Sequence, residues 1–178
     1  MKRTALKRYT RLQAKSWPKG RGRIAPRSTR TISNEELYRQ IRNPFSLFWR
    51  DQADKVWSFL IILRSGGRSE FTGREVGFDM LEPHHIVRRD CFILRHDLQN
   101  GIALNALEHR LGVGAPHSGQ QPHRFNEWFH QTHPERWEYL QEHRIIRPLG
   151  VDYQEAYFRL INLLDSCRNL DVEDDDGA

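Results

Sequence analysis

Cysteine is scarce in this sequence, since the 178-residue chain has only two, Cys91 and Cys167. Two cysteines cannot build a disulfide framework, and the absence of a Cys-x-x-Cys pair excludes the usual thiolate zinc sites. No run of about 18 apolar residues exists, so no transmembrane helix is expected. The N-terminus also lacks the apolar segment of a secretory signal. These absences predict a cytoplasmic protein that does not enter a membrane.

Acidic residues are missing from the first 33 residues, which contain eleven Lys or Arg, whereas the last residues, 171–178, form an acidic tail. A cationic arm attracts phosphates and releases counterions when it binds them. Residues 1–33 therefore predict a disordered, nucleic-acid-binding arm, with a solvated or processing-related tail as the alternative. The basic residues expected to contact nucleic acid there are Lys2, Arg3, Lys7, Arg8 and Arg11.

Hydrophobic periodicity in the remaining chain predicts mostly helices around a short β segment. Residues 34–68 are predicted to be helical, with Ser33 or Asn34 as the N-cap and a break near Pro44 that precedes a helix over 45–63. Residues 64–101 predict short strands and loops. Further helices are expected over 103–111, 123–132 and 134–142, and in a C-terminal segment, 146–170, that Asp152 would cap. This order predicts the α+β class.

Histidine is absent from the first 83 residues, and all nine histidines lie between residues 84 and 143. Histidine is the usual base at neutral pH and a common metal ligand, so this clustering suggests a site. His84 and His85 are adjacent in a short predicted strand, where neighbouring side chains point to opposite faces. Both rings can serve one site only if the strand bends or ends there, and Pro83 is consistent with that.

Fourteen residues separate His85 from Asn100, and eight separate Asn100 from His109. At this spacing the three residues resemble the motif of the HNH endonucleases, and the surrounding segments 82–89 and 94–104 are similar as well. The resemblance covers about residues 69–145 and is specific over 82–109. The basic arm and the segment 134–140 are similar to those of HNH proteins carried by bacteriophages.

The resemblance implies a ββα-metal core, two strands and a helix around one divalent ion, embedded here in additional helices. His85 would be the general base that activates water, and Asn100 would brace the loop between the strands. The ion would be Mg, Mn, Ni or Zn, and imidazole ligands favour Zn, Ni, Mn or Co over Mg. The implied metal ligands are His84, His109 and His117, with His123 as the next candidate.

Many relatives in this family carry four cysteines that bind a structural zinc around the motif. This chain has other residues at the corresponding positions, namely Ser69, Thr72, Asn105 and Glu108. These side chains cannot make a thiolate site, so no structural zinc is expected. Hydrogen bonds or packing must replace it, for example from the 45–63 helix and the C-terminal helices.

The function implied by the resemblance is metal-dependent hydrolysis of phosphodiester bonds in DNA, including branched or single-stranded DNA. Arg88, Arg89 and Arg95 are expected to hold the substrate backbone, with solvated surface arginines as the alternative. Partners would be DNA and phage or host DNA-processing proteins, in the bacterial host cytoplasm if a phage encodes the chain. The competing hypothesis is a catalytically inactive protein of the same fold that binds nucleic acid or acts in assembly. A histidine-rich metal-storage protein is disfavoured, because the histidines do not form a tract.

Overall fold

The structure is a computed structural model that describes residues 33–111, 123–146, 148 and 150–170. Helices surround one two-stranded antiparallel sheet, which confirms the predicted α+β class. Within the described ranges no helix is long and apolar enough to cross a membrane. The predicted acidic tail and, apart from Ser33, the predicted arm lie outside the described residues. The elements are α1 (Asn34–Arg42), α2 (Leu47–Arg64), β1 (Leu81–His85), β2 (Gly101–Asn105), α3 (His123–Thr132), α4 (Pro134–His143) and α5 (Tyr153–Leu170).

Side-chain caps begin three of these helices. The Ser33 Oγ accepts a hydrogen bond from the backbone N–H of Glu36 at 3.2 Å, and Asp152 caps α5 by accepting from the N–H of Glu155 at 2.8 Å. Both caps confirm the sequence-based predictions. Ser46 caps α2 in the same way. Helix α2 therefore begins at Leu47, two residues later than predicted.

The sheet is a hairpin with a long connection. Strand β1 pairs with β2 so that Leu81 lies opposite Asn105 and His85 lies opposite Gly101. Residues 86–100 connect the strands and contain two short 3-10 turns. The predicted helix over 103–111 is wrong in its first part, because residues 103–105 belong to β2 and only Leu107–Leu111 form a helical turn. Pairing with β1 and burial on both faces override the helical preference of this segment.

Two hydrophobic clusters lie on opposite faces of the hairpin. On one face, Ala103 packs with residues of α2, β1 and α5, among them Trp57, Ile61, Leu81 and Leu160. On the other face, the neighbouring residues of β2 pack against α3 and α4, in a cluster that includes Ile102, Leu104, Phe125, Phe129 and Leu140. The hairpin is therefore covered on both sides, which fixes the position of the histidines at the end of β1.

Gly101 lies where α2 approaches the start of β2 most closely. A Cβ at this position would lie 2.8 Å from Cζ2 of Trp57 and closer still to the side chain of Ile61. We expect Gly101→Ala to lower the free energy of unfolding by about 1–3 kcal/mol, the usual cost of overpacking a core. Urea denaturation measures this. Gly150→Ala is the control, because its Cβ would be 3.6 Å from Phe45, an ordinary contact. Equal stability of the two variants would contradict the close approach.

Candidate active site

Three imidazole rings line one cavity of about 750 Å³ at the end of β1. They belong to His84, His85 and His109, and Asn126 of α3 borders the same cavity. His84 is 8% exposed, and its Nδ1 lies 3.0 Å from Nε2 of His109. The structure thus brings together two imidazole nitrogens from β1 and from the Leu107–Leu111 turn.

Glu82 orients the ring of His109 through Nδ1, the ring nitrogen that does not face His84. Its Oε2 lies 2.7 Å from Nδ1 of His109, and the carboxylate also accepts hydrogen bonds from Arg110. A carboxylate only accepts, so Nδ1 of His109 carries a hydrogen, and in the neutral ring the lone pair is on Nε2, the atom that faces His84. Sequence reasoning missed Glu82. The signal was present, since Glu82 and His84 are two residues apart in a strand and share a face.

His85 is the last residue of β1, and its ring points to the opposite face from His84. It stacks on Trp57 of α2, with ring centroids 3.7 Å apart and planes 12° apart. The backbone carbonyl of Arg95 lies 2.8 Å from its Nε2. Because a carbonyl can only accept, Nε2 carries the hydrogen and Nδ1 the lone pair. Burial lowers the pKa of His85 to about 4, although the bond to the Arg95 carbonyl opposes this, so the ring is neutral at pH 7.

Asn100 is fully buried and ties together the loop between the strands. Its Oδ1 accepts from the N–H of Val87 at 2.6 Å, and its Nδ2 donates to the carbonyls of Val87 and Leu94, both at 2.9 Å. These bonds join the beginning of the loop to its middle and its end. The three hydrogen bonds fit the bracing role that the sequence resemblance implies for this residue.

Asp54 of α2 fixes the segment that supplies the carbonyl to His85. It accepts two hydrogen bonds from Arg95, at 2.9 and 2.6 Å, and lies 2.8 Å from Nε2 of His96. Burial alone would raise the pKa of Asp54, but the hydrogen bonds from His96 and Arg95 outweigh it and hold that pKa well below its ordinary value of 3.8. Sequence reasoning missed both Asp54 and Trp57, whose partners lie about 40 positions away.

The predicted phosphate-binding arginines differ in their surroundings. Arg88 and Arg89 are exposed and line the histidine cavity. The side chain of Arg95 is 11% exposed and is held by Asp54 and by the carbonyl of Arg89, so it fixes the loop rather than facing the cavity. His117 and the arm residues lie outside the described part of the chain, as does the side chain of His123. The arm residues are Lys2, Arg3, Lys7, Arg8 and Arg11.

Hydrogen bonds link the four residues Ser69, Thr72, Asn105 and Glu108, at which the sequence resemblance would place cysteines. The carboxylate of Glu108 accepts from Ser69 Oγ at 2.5 Å and from Thr72 Oγ1 at 2.6 Å. It also accepts from the N–H of Asn105 at 3.1 Å, and Asn105 Oδ1 accepts in return from the N–H of Glu108 at 3.0 Å. The loop before β1 is thereby joined to the helical turn after β2.

Comparison of the chain with models of protein families, with curated proteins and with solved structures finds no match.

Within residues 33–111, 123–146, 148 and 150–170, no group of three or more His, Cys, Asp or Glu side chains converges on one point. The facing nitrogens of His84 and His109 are two potential donor atoms, 3.0 Å apart.

We expect Asp54→Asn to lower the free energy of unfolding at pH 7 by about 2 kcal/mol, since hydrogen bonds to charged groups contribute about 1.5–3 kcal/mol. The lowered pKa means that the ionised carboxylate stabilises the fold above the ordinary pKa of 3.8, and that this stabilisation is lost as the pH falls further. The difference between wild type and variant should therefore shrink below about pH 4. Urea denaturation at several pH values measures it.

Asp51→Asn is the matched control on the same helix, because this carboxylate is 57% exposed and pairs with Arg50 at the surface. Its effect should stay below about 1 kcal/mol. A difference for Asp54→Asn that does not vary between pH 7 and pH 3 would contradict the charge-based role of Asp54.

Proposed function

We propose that this chain is a metal-dependent endonuclease of the HNH type that hydrolyses phosphodiester bonds in DNA. The observation that carries the proposal is the convergence of His84, His85 and His109 on one cavity, with Asn100 buried behind the loop. The order of strand, long loop, strand and helical turn supports a ββα-metal core. The positions of the histidines and the order of the elements are thus two separate observations that support the proposal.

The residues fit a divalent ion by their donor chemistry. Nδ1 of His84 and Nε2 of His109 face each other at 3.0 Å, and a carboxylate behind a metal-binding imidazole, here Glu82, is the usual supporting partner. His84 and His109 would hold the ion, with His117 as a further candidate. The ion would supply positive charge for the phosphate and the leaving oxygen. Imidazole ligands favour Zn, Ni or Mn over Mg, and no structural zinc is part of the proposal.

His85 is the general base in this proposal. Its Nε2 donates to the Arg95 carbonyl, so the lone pair of Nδ1 can accept a proton from a water molecule. As the water oxygen forms its bond to phosphorus, its proton moves to Nδ1, and the bond from phosphorus to the leaving oxygen breaks. The stack on Trp57 holds the imidazole ring in one orientation. The proton transfer therefore needs little further ordering of the ring.

Two exposed arginines at the cavity are suited to an anionic polymer. Arg88 and Arg89 follow β1 directly and border the histidine cavity. Their guanidinium groups can bind the phosphates that flank the cleaved bond. The predicted basic arm at residues 1–33 would add electrostatic attraction to the DNA phosphates, which does not depend on the DNA sequence. DNA is therefore the substrate class proposed here, with phage or host DNA-processing proteins as candidate partners.

His85→Ala is expected to lower DNA cleavage by about 100-fold to 10,000-fold, the usual contribution of a positioned general base. Supercoiled plasmid and single-stranded DNA are incubated with Mg, Mn, Ni or Zn, or with EDTA, and nicked and linear products are measured on gels. DNA binding, measured by fluorescence anisotropy, should change little, because in the proposed mechanism His85 takes a proton from water and does not bind the DNA phosphates.

His130→Ala is the matched control, since this exposed histidine lies on α3 outside the histidine cavity. It should cleave as wild type does. Full activity of His85→Ala would show that His85 is not the base. An absence of cleavage with every metal, with DNA still bound, would favour the non-catalytic binding protein instead.

Glu82→Gln is expected to weaken metal binding by about 10-fold to 100-fold, the usual effect of losing a carboxylate that supports a histidine ligand. Isothermal titration calorimetry with Zn²⁺ measures the affinity, and the double variant His84→Ala/His109→Ala sets the background. Glu75→Gln is the control, because Glu75 is exposed and pairs only with Arg68 among the ion pairs of the described residues. Equal affinities of Glu82→Gln and Glu75→Gln would contradict the supporting role.

A further inference from the structure

A second cavity, of about 510 Å³, lies beside the histidine cavity. It is formed between the beginning of the 86–100 loop, helices α3 and α4, and the chain that follows α4. Its volume is within the range of small-ligand sites, about 300–1,000 Å³. Its lining includes Ile86, Cys91, Asn126, Trp137, Gln141 and Arg144.

The two cavities adjoin. Ile86, Arg88, Asp90 and Asn126 line both of them. A DNA strand bound with a phosphate at His85 would therefore bring an adjacent nucleotide near the second cavity. Arg88 lines both cavities and can bind the phosphate between the two positions. The second cavity is thus placed to receive a part of the substrate next to the cleaved bond.

The chemistry of the second cavity suits a nucleobase. Trp137 offers a large aromatic ring, and Cys91 and Ile86 add apolar surface, on which a base can stack or pack. Asn126 and Gln141 carry amides, the groups that pair with base edges. Gln141 is held in place, because its Oε1 accepts a hydrogen bond from Arg144 at 2.7 Å. A lining with both an aromatic ring and amide groups can combine stacking with edge recognition.

We propose that this second cavity binds one unpaired nucleobase next to the cleaved phosphate. The proposal rests on the proposed nuclease function and narrows its substrate to DNA that has an unpaired nucleotide at the cleavage point. A base within a duplex is stacked and paired, so it can enter a recessed cavity only by leaving the stack. A gap, a flap or a single strand offers such a base without that cost, and therefore binds more tightly than paired DNA.

The experiment compares binding of one gapped duplex and the fully paired duplex of the same sequence to full-length protein. Fluorescence anisotropy is measured without metal, so no cleavage occurs. Wild type should bind gapped DNA at least tenfold more tightly than paired DNA. Asn126→Ala/Gln141→Ala should lose most of this preference, which is the ratio of the two affinities. Any effect of Asn126 at the histidine cavity acts on both DNAs and leaves this ratio unchanged. Asn126 is exposed and Gln141 half-buried, and an unchanged urea midpoint verifies that the variant is folded.

Gln131→Ala is the matched control, an exposed amide on α3 that lines neither cavity. It should keep the full preference. Equal affinity of wild type for the two DNAs, or a preference that survives in Asn126→Ala/Gln141→Ala, would overturn the proposal.

Cleavage of the same two DNAs with Mn, Ni or Zn separates this inference from the proposed function. Faster cleavage of gapped DNA by wild type, lost in Asn126→Ala/Gln141→Ala, supports both. Equal cleavage rates on gapped and paired DNA overturn the nucleobase cavity and leave the nuclease. Tighter binding of gapped DNA with no cleavage under any metal overturns the nuclease and leaves the cavity as the site of a DNA-binding protein.

Discussion

The contact between helix α2 and the 86–100 loop is the constraint on which the candidate site depends. Trp57 stacks on His85 and donates from its indole N–H to the carbonyl of Asp97 at 2.9 Å. One turn earlier, Asp54 holds Arg95, and two turns later Arg64 donates to the carbonyls of Leu98 and Gly101 at 2.8 and 2.7 Å. Residues three, seven and ten positions apart share one helix face. A single rigid element therefore fixes the loop along its second half, and with it the plane of His85.

The hydrogen-bonded cluster of Ser69, Thr72, Asn105 and Glu108 and the two hydrophobic clusters stabilise the fold in different ways. Two hydroxyl groups, from Ser69 and Thr72, donate to the Glu108 carboxylate, and such charge-assisted bonds are stronger than neutral ones. Their net contribution is still only about 1.5–3 kcal/mol each, whereas structural zinc contributes about 10–16 kcal/mol in small domains. The bonds can set the relative position of the loop and the helical turn. Most of the stability must come from burial of Trp57 and Phe125 in the two clusters.

Spacing in the sequence singled out the three histidines that line the histidine cavity but not the residues that orient them. His84, His85 and His109 could be found because they lie within 26 positions and their side chains are chemically distinctive. Glu82 could have been found by strand periodicity. Asp54 and Trp57 could not, since nothing local in an amphipathic helix indicates that its partners lie about 40 residues later. The misassigned residues 103–105 have the same cause, because pairing across the sheet overrides local preference.

The contacts that orient His85 come from residues outside the sequence motif, so the motif alone describes this site incompletely. Its tautomer is set by a backbone carbonyl, that of Arg95, and every residue type provides such a carbonyl. What the sequence must specify is the position of that carbonyl, and this depends on the Arg95 side chain, which Asp54 holds at 2.6 Å. A side chain predicted to bind phosphate thus places the main-chain atom that orients His85. A change at Arg95 would act on His85 by moving the loop, and a change at Asp54 would act by the same route from another helix.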